Sequence, residues 1–313
     1  MERQHYRANR NRAWFEVTVT VLPYILGLVL TSELFERSLS AFLLSGFITA
    51  LFSVRLFSIF HDCSHRSFHP DKNVCLWLGR LCGFLSGFTP FSDWTRTHLS
   101  HHTNLNNLDL KLPGDILTYT VQEFQALSPG KKIAYRIYRH PVFLVGFGGL
   151  AYFLVYARIP WLFPKETRRS IWATNGAFAL FLLGGCTLLG VKSFFATQLF
   201  VLWISTMIGV VIFYIHPQFE DAYFSRGASW KLAKTSLDGS SYFHFPAIIQ
   251  WFTMNIGYHH IHHLNSMIPG YNLPEAAKSR RDFAEKNALG WKDIRNSFRL
   301  KLYCEKASKL VPF

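Results

Sequence analysis

Four long runs of apolar residues constrain this chain more than any other feature of its sequence. A helix needs about 20 apolar residues to span the hydrocarbon core of a bilayer, because each residue advances it by about 1.5 Å. With half of its 313 residues hydrophobic, the chain concentrates them in blocks of that length. We therefore predict an all-α integral membrane protein with four transmembrane helices, at residues 13–31, 41–60, 171–190 and 194–215.

Two further apolar segments are predicted to lie along the membrane surface. Residues 74–92 carry Arg80 in the middle of the run, and residues 142–157 are short and interrupted by glycines. Histidine motifs flank the first segment and follow the later spans. If these motifs serve one site, an even number of crossings must separate them. Residues 74–92 are therefore predicted to be interfacial or re-entrant, and residues 142–157 to be interfacial.

The charges near the N-terminus predict the orientation. Four arginines and one acidic residue precede the first span, and no small-residue cleavage site follows it. The positive-inside rule places this leader in the cytoplasm, and the first span is predicted to be retained. With four crossings the basic tail, residues 278–313, is cytoplasmic too, and we expect it to be a solvated face. Arg55, near the cytoplasmic end of the second span, is expected to snorkel towards the interface.

Three histidine motifs carry the chemistry of the sequence. On a helix, positions three and four apart share one face, so each motif directs two or three imidazoles the same way. His260 falls off that face and is left out. We predict a cytoplasmic helical cap in which three boxes form a cage of eight histidines: His61 and His65 in box one, His98, His101 and His102 in box two, and His259, His262 and His263 in box three.

A cage of this size predicts two metal ions. Neutral imidazole suits iron, copper, nickel or zinc, and one zinc ion takes about three or four protein ligands. Any single box is also typical of ordinary core or surface histidines. Three boxes of matching spacing, which hold eight of the 14 histidines, favour metal binding.

Charge and cysteine content exclude other classes. The net charge of +14 is not arranged in a nucleic-acid reader motif, so we expect no nucleic acid. An anionic membrane surface or a small acidic protein partner suits the basic tail and the basic residues at 131–139 better. The five cysteines form no Cys-x-x-Cys pair and are expected to be reduced. No internal repeat or linker divides the chain, so residues 1–313 are predicted to form a single domain.

The motifs and their surroundings resemble those of the integral-membrane fatty acid desaturase family, over about residues 40–275. The likeness is greatest to bacterial and plastid-type acyl-lipid desaturases. It rests on the three boxes and on the texts Phe60-His-Asp-Cys-Ser-His-Arg-Ser-Phe68, Trp94-Thr-Arg-Thr-His98, Pro113-Gly-Asp115, Phe219-Glu-Asp221 and Asn255-Ile-Gly-Tyr-His-His260.

The resemblance implies an enzyme that inserts a double bond into the acyl chain of a membrane lipid. It implies two non-haem iron ions bound by the eight box histidines, dioxygen as co-substrate, and electrons from a ferredoxin or cytochrome b5. It does not specify the double-bond position, the acyl carrier or the oligomeric state. Aromatic residues near the boxes are candidates for the wall of an acyl tunnel: Phe60, Trp94, Trp251 and Tyr258.

A ninth histidine departs from the family pattern. Relatives carry Gln-His shortly before Phe-Glu at a helix end, whereas this chain has His216-Pro-Gln-Phe-Glu220. A shift of one place turns a helical side chain by about 100°, although Pro217 bends the local backbone. The sequence leaves open whether His216 binds iron, with Glu220 as the residue that would orient it.

Carboxylates and amides near the boxes are candidates to orient the ligands. Metal-bound histidines usually donate their second ring N–H to such groups. The candidates are Asp62, Asp93, Asp115 and Asn255, and Asn255 precedes His259 by four residues.

Two other classes of function remain compatible with the sequence. The same cage could serve a lipid or alkane hydroxylase or a carotenoid ketolase, although the Pro-Gly-Asp and Phe-Glu-Asp texts favour desaturation. A non-enzymatic haem carrier or metal transporter would instead place its ligands within the bilayer. The boxes lie at or beyond helix ends on one side, which disfavours that reading.

Overall fold

The structure is a computed structural model and describes residues 7–279 and 286–313. Arg3 of the basic leader and residues 280–285 of the basic tail lie outside this range. Most described residues are helical, in the elements α1 (Arg10–Leu34), α2 (Leu39–Ser64), α3 (Lys72–Gly87), α4 (Phe91–Asn104), α5 (Val121–Ala126), α6 (Pro129–Tyr138), α7 (Pro141–Phe143), α8 (Gly149–Leu154), α9 (Lys165–Leu189), α10 (Val191–Ile215), α11 (Leu232–Asp238), α12 (Ala247–Phe252), α13 (His259–Leu264), α14 (Leu273–Lys278) and α15 (Trp291–Ser297).

The four predicted spans coincide with α1, α2, α9 and α10. Within residues 7–279 and 286–313, five helical segments are long and apolar enough to cross a membrane, and the fifth is Pro141–Arg158. This fifth segment joins α7, a π-helical turn at Leu144–Gly148 and α8. It was predicted to be interfacial, and that placement stays a prediction, as does the total of four spans.

The α3–α4 pair is sharply bent. The two helices meet at 93° across a break at Phe88, whose φ of 54° is left-handed. Helix α3 packs against α2, and the Tyr24 hydroxyl of α1 donates to the Leu85 carbonyl at 2.7 Å. The bend brings α4, with box two, beside the end of α2, with box one.

Arg55 does not snorkel to the interface. Its side chain is 1% exposed and donates to Glu16 of α1, to the hydroxyl of Thr20 at 3.0 Å and to the backbone carbonyl of Trp251. The guanidinium carbon lies 3.8 Å from the centre of the Trp251 ring. A buried carboxylate and several acceptors replace water around the charge, which is why burial is tolerated.

Two small sheets modify the all-α prediction. Strand β1 (Tyr119–Thr120) pairs in parallel with β4 (Leu302–Cys304), which pairs antiparallel with β5 (Lys309–Val311). Strand β2 (Tyr242–Phe243) pairs in parallel with β3 (Ala288–Leu289). The sequence shows no long alternating run at these places, because strands of two or three residues are too short to produce one.

The basic tail is not wholly solvated. Tyr303 of β4 and Leu310 of β5 pack in a hydrophobic cluster with Leu108, Phe219 and Phe224. The buried residues of this segment include Ser297, Leu300, Lys301, Leu302, Tyr303 and Leu310. The prediction of a solvated tail is therefore wrong for residues 300–303 and for Leu310, whereas residues 305–308 are exposed. The buried apolar side chains are spaced too irregularly in the sequence to reveal a buried face.

Candidate metal centre

The three boxes meet at the end of the helical bundle. Box one forms the last turn of α2, box two lies in the second half of α4, and box three forms α13. Their side chains separate into two clusters of buried ring nitrogens, and within each cluster the ligand atoms lie within 4.8 Å of one another. We call His61, His65, His98, His102 and His262 the first group, and His101, His259 and His263 the second group.

Ring nitrogens in both groups point at one another. In the first group, Nε2 of His98 lies 2.9 Å from Nε2 of His65 and 3.1 Å from Nε2 of His102, which in turn lies 3.2 Å from Nε2 of His262. In the second group, Nε2 of His263 lies 3.0 Å from Nε2 of His259. A neutral imidazole carries one N–H, so these atoms cannot all donate to each other. A cation at the point where they converge would satisfy them together.

Burial keeps the box-three imidazoles neutral. Their withdrawal from solvent, together with the neighbouring histidines, lowers the pKa of His259, His262 and His263 well below the usual 6.5. The lone pair of a neutral imidazole is the form that binds a metal. The donor set therefore fits a borderline transition metal such as iron.

Two of the predicted carboxylates contact ligand rings. Oδ1 of Asp115 accepts a hydrogen bond from Nδ1 of His101 at 2.6 Å, and Oδ1 of Asp62 lies 3.2 Å from Nδ1 of His61. In both rings the contact at Nδ1 leaves Nε2 to face the cluster. This is the usual way in which a protein orients a metal-binding histidine.

The other two predicted partners do not contact the histidines. Asp93 accepts a hydrogen bond from the hydroxyl of Thr167 at 3.1 Å and ties α4 to α9. Asn255 has φ of 62° and so lies off the helix of His259. It donates to the Gly270 carbonyl at 2.9 Å, while the Gly270 N–H donates to Asp62 at 2.6 Å. Asn255 therefore supports Asp62, which in turn contacts a ligand.

The structure brings His216 to the second group. Its ring stacks on that of His259, with 4.4 Å between centres, and it is fully buried. Nδ1 lies 3.1 Å from the hydroxyl of Ser241, whereas Nε2 has no partner among the described residues. Burial, with the neighbouring His260, lowers the pKa of His216 to about 3. A neutral ring with a free nitrogen beside the cluster has the form of a further ligand.

Glu220 does not orient His216. Its half-exposed carboxylate instead accepts a hydrogen bond from Nζ of Lys309 at 2.8 Å. The chain turns at Pro217, so the four-residue spacing of a regular helix does not hold here. Ser241 takes the predicted role of Glu220. Because Ser241 follows His216 by 25 residues, no local motif could have identified it.

An apolar cavity of about 500 Å³ adjoins both groups. Its walls come mainly from α2, α4 and α10, and His61, His98 and His259 lie at one end. Of the four aromatic residues predicted to line a tunnel, Trp94 is in the wall, stacked on His98 with 4.4 Å between ring centres. The volume is typical of small-molecule sites.

Serine and threonine side chains lie at the other end of the cavity. Ser53 precedes His61 by eight residues, which is roughly 12 Å along α2, and its hydroxyl donates to the Ser86 carbonyl at 3.2 Å. Ser205 and Thr206 also line the cavity, and Thr206 precedes His216 by ten residues, which is roughly 15 Å along α10. We call these four residues the deep end of the cavity.

A family model and individual relatives of known sequence both match this chain. The family model described as fatty acid desaturase matches residues 38–295. A fatty acid desaturase of Bacillus subtilis (strain 168) is 36% identical over 267 residues, which cover 85% of this chain and 76% of that protein.

More distant relatives are named for their positions of action. The chloroplastic omega-6 fatty acid desaturase of Spinacia oleracea is 24% identical over 94% of this chain and 66% of its own length. The sn-1 oleoyl-lipid 12-desaturase of Synechocystis is 26% identical over 72% of this chain and 64% of its own length. The chain thus spans about two thirds of the length of these two proteins. The resemblance drawn from the histidine boxes is confirmed.

Proposed function

This chain belongs to the fatty acid desaturase family of oxidoreductases, and from that premise we propose that it inserts a double bond into the acyl chain of a membrane lipid. One observation carries the proposal: two clusters of buried imidazoles lie at the end of an apolar cavity that can hold a hydrocarbon chain. Relatives named as acyl-lipid desaturases, such as the Synechocystis protein, support a lipid-borne substrate.

The proposed cofactor is a pair of non-haem iron ions. The first group would hold one ion, and the second group with His216 would hold the other. Bound iron would supply, with dioxygen, the oxidising power that unactivated methylene C–H bonds require, because side-chain acids and bases are too weak for that chemistry. Asp62, Asp115 and Ser241 hold the imidazoles in orientation.

The walls of the cavity would position the substrate. Trp94 stacks on His98, and Phe57 lies edge-on to Trp94 with 5.4 Å between ring centres. These rings form an apolar layer between the imidazoles and the deep end. A chain that lies along this layer presents one methylene pair to the metal centre and is shielded there from bulk water, which favours selective oxidation.

We propose that electrons come from a separate small acidic protein, a ferredoxin or cytochrome b5. One relative, from Nostoc, is named as ferredoxin-dependent. Lys131 and Arg136 are exposed on α6 and add positive charge to the cap. Such charge would steer an acidic partner, and it would serve an anionic lipid surface equally well.

The proposed topology places both termini and the metal centre in the cytoplasm. The excess of arginine before the first span supports this orientation, and the proposed even number of crossings brings both termini to the same side. Arg55, which pairs with Glu16 of α1, precedes His61 by six residues on α2. The histidines of box one therefore lie roughly 9 Å further along the helix than this buried pair.

The test is the fatty acid profile of whole lipids from a host that expresses the protein with a competent electron donor. Wild type should yield a new unsaturated acyl chain, and His262→Ala should abolish it. His244→Ala, which alters an exposed histidine outside both groups, should retain it. A hydroxylated product would replace the assigned reaction with that of a hydroxylase, and no new product would contradict the proposal.

A further inference from the structure

We propose that Arg139 is a positioning residue for the second group. Its side chain links the segments that support this group to the C-terminal segment, residues 298–313. The inference rests on the proposed two-metal site and adds a residue that no motif contains. By sequence Arg139 belongs to a basic surface cluster, but its side chain is fully buried, between the metal centre and the tail.

The guanidinium of Arg139 joins four parts of the chain. Nη1 donates to the Leu117 carbonyl at 2.8 Å, to the Thr118 hydroxyl at 3.1 Å and to the Tyr135 hydroxyl at 3.1 Å. Nη2 donates to the Tyr214 hydroxyl at 3.1 Å, to Oε1 of Gln218 at 2.8 Å and to the Leu300 carbonyl at 3.2 Å. The acceptors lie on the loop before β1, on α6, at the end of α10 and in the tail.

Two of these parts support histidines of the second metal site, one through Asp115 and the other by carrying His216. The loop at 117–118 continues from Asp115, which accepts the hydrogen bond of His101. Gln218 follows His216 by two residues and is 1% exposed. Gln218 also donates from Nε2 to the Thr118 hydroxyl at 3.4 Å, so the two parts are linked to each other as well. Arg139 thus fixes the backbone that carries Asp115 relative to the backbone that carries His216.

The C-terminal segment makes further contacts with Arg139 and its neighbours. Nζ of Lys301 donates to the Arg139 carbonyl at 2.6 Å, and the Tyr135 hydroxyl donates to the Lys301 carbonyl at 2.8 Å. The Tyr214 ring stacks on Phe298, with 4.6 Å between centres and 6° between planes. The C-terminal segment therefore reaches the end of α10, where His216 lies, through both hydrogen bonds and a ring contact.

A positioning role accounts for an otherwise costly feature. Arginine is rarely fully buried unless it is paired, and no carboxylate pairs with Arg139 among residues 7–279 and 286–313. Six neutral acceptors surround it instead. Lysine offers three donors without the planar fork of arginine, so it cannot hold this many acceptors in this arrangement.

The first group is anchored differently. His61 lies on α2, His65 directly follows the end of that helix, and Asp62 is fixed by Gly270. None of the six acceptors of Arg139 lies on α2 or α13. Removal of the guanidinium should therefore loosen the second group and leave the first group in place.

The experiment measures metal content in the purified, detergent-solubilised full chain after reconstitution with ferrous iron and exposure to air, in which dioxygen oxidises the bound iron to the ferric state. Wild type, Arg139→Met, Arg139→Lys and the matched control Arg136→Met are compared by mass spectrometry of metals and by electron paramagnetic resonance. Arg136 lies one turn earlier on α6 but is exposed against Phe313. Gln218→Met removes one acceptor and serves as a milder variant if Arg139→Met does not accumulate.

The proposal expects Arg139→Met and Arg139→Lys to lose one of two iron ions and to gain the resonance of an isolated ferric ion, while Arg136→Met keeps both ions. Gln218→Met should shift the iron content in the same direction. Retention of both ions by the Arg139 or Gln218 variants would overturn the proposal, and so would equal loss of both, which general unfolding would cause. A wild type that binds fewer than two ions would instead overturn the two-metal site itself.

Discussion

Nδ1 of His101 lies 2.6 Å from a carboxylate oxygen of Asp115, and this contact leaves Nε2 of the same ring to face the second group. Replacement of Asp115 by Asn removes the charge, and replacement by Leu removes the acceptor. We expect Asn to weaken metal affinity by up to about tenfold and Leu by about 10- to 100-fold, measured by competition with a chelator.

Asp93 provides the control for that series. Asp93→Asn alters a buried carboxylate on α4 that bonds Thr167 and touches no histidine of the two groups. Its metal affinity should equal that of wild type. An unchanged affinity in Asp115→Leu would show that His101 needs no such partner.

Variants of His216 and Ser241 test whether the ninth histidine binds a metal ion. His216→Ala removes the ring that stacks on His259 and should cost the second metal ion, with loss of desaturation. Ser241→Ala removes only the contact at Nδ1 and should weaken that ion's affinity by about tenfold. Metal content per chain is the measurement, with the exposed His244→Ala as reference. Full metal content in His216→Ala would assign the second ion to the box histidines alone.

A substitution at Ser53 tests whether the acyl chain reaches the deep end of the cavity. Ser53→Phe places a ring in the cavity roughly 12 Å along α2 from His61, so longer acyl chains should no longer fit. We expect the product profile to shift towards shorter chains while metal content is unchanged. Ser40→Phe, at an exposed position near the start of α2, is the control. An unchanged chain-length profile would mean that the substrate does not reach Ser53.

The Arg55–Glu16 pair should contribute strongly to stability. Both side chains are about 1% exposed. Removal of one partner of a buried pair typically costs about 3–5 kcal/mol, because the other charge is left without compensation. Arg55→Met should therefore lower thermal stability in detergent sharply.

A double-mutant cycle isolates the pair. Glu16 also bonds the exposed Arg12 at 2.6 Å, so Glu16→Gln alone frees two arginines from it. The double variant Glu16→Gln, Arg55→Met should lose less than the sum of the single variants. Additive losses would show that the two charges are not coupled.

Acid should destabilise the metal-free protein. The pKa values of His259, His262 and His263 are lowered well below 6.5 in the folded chain. Between the lowered values and about 6.5 the unfolded chain binds more protons, so the free energy of unfolding falls as pH drops below about 6.5.

Melting of the metal-free protein across that range, in the wild type and in His263→Gln, is the measurement. The dependence on pH should be smaller in the variant, because one lowered pKa has been removed. A melting temperature that is constant from about pH 7 to about pH 5 in the wild type would contradict the prediction.

The sequence by itself determined the family, the positions of four apolar helices and the eight box histidines. These are properties of spacing. Residues such as His98 and His102 share a helical face because they lie four apart, and about twenty apolar residues make a span wherever they occur. The matched family model and the helices α1, α2, α9 and α10 agree with this reading.

Only the tertiary structure decided how the histidines divide and what supports them. His101 and His102 are neighbours in sequence yet enter different groups, because successive side chains on a helix point about 100° apart. Arg55 stays buried because Glu16 meets it from another helix, and Arg139 is buried because its acceptors come from four separate segments. Contacts between residues far apart in the chain leave no periodic trace in a single sequence, and for that reason the fold had to reveal them.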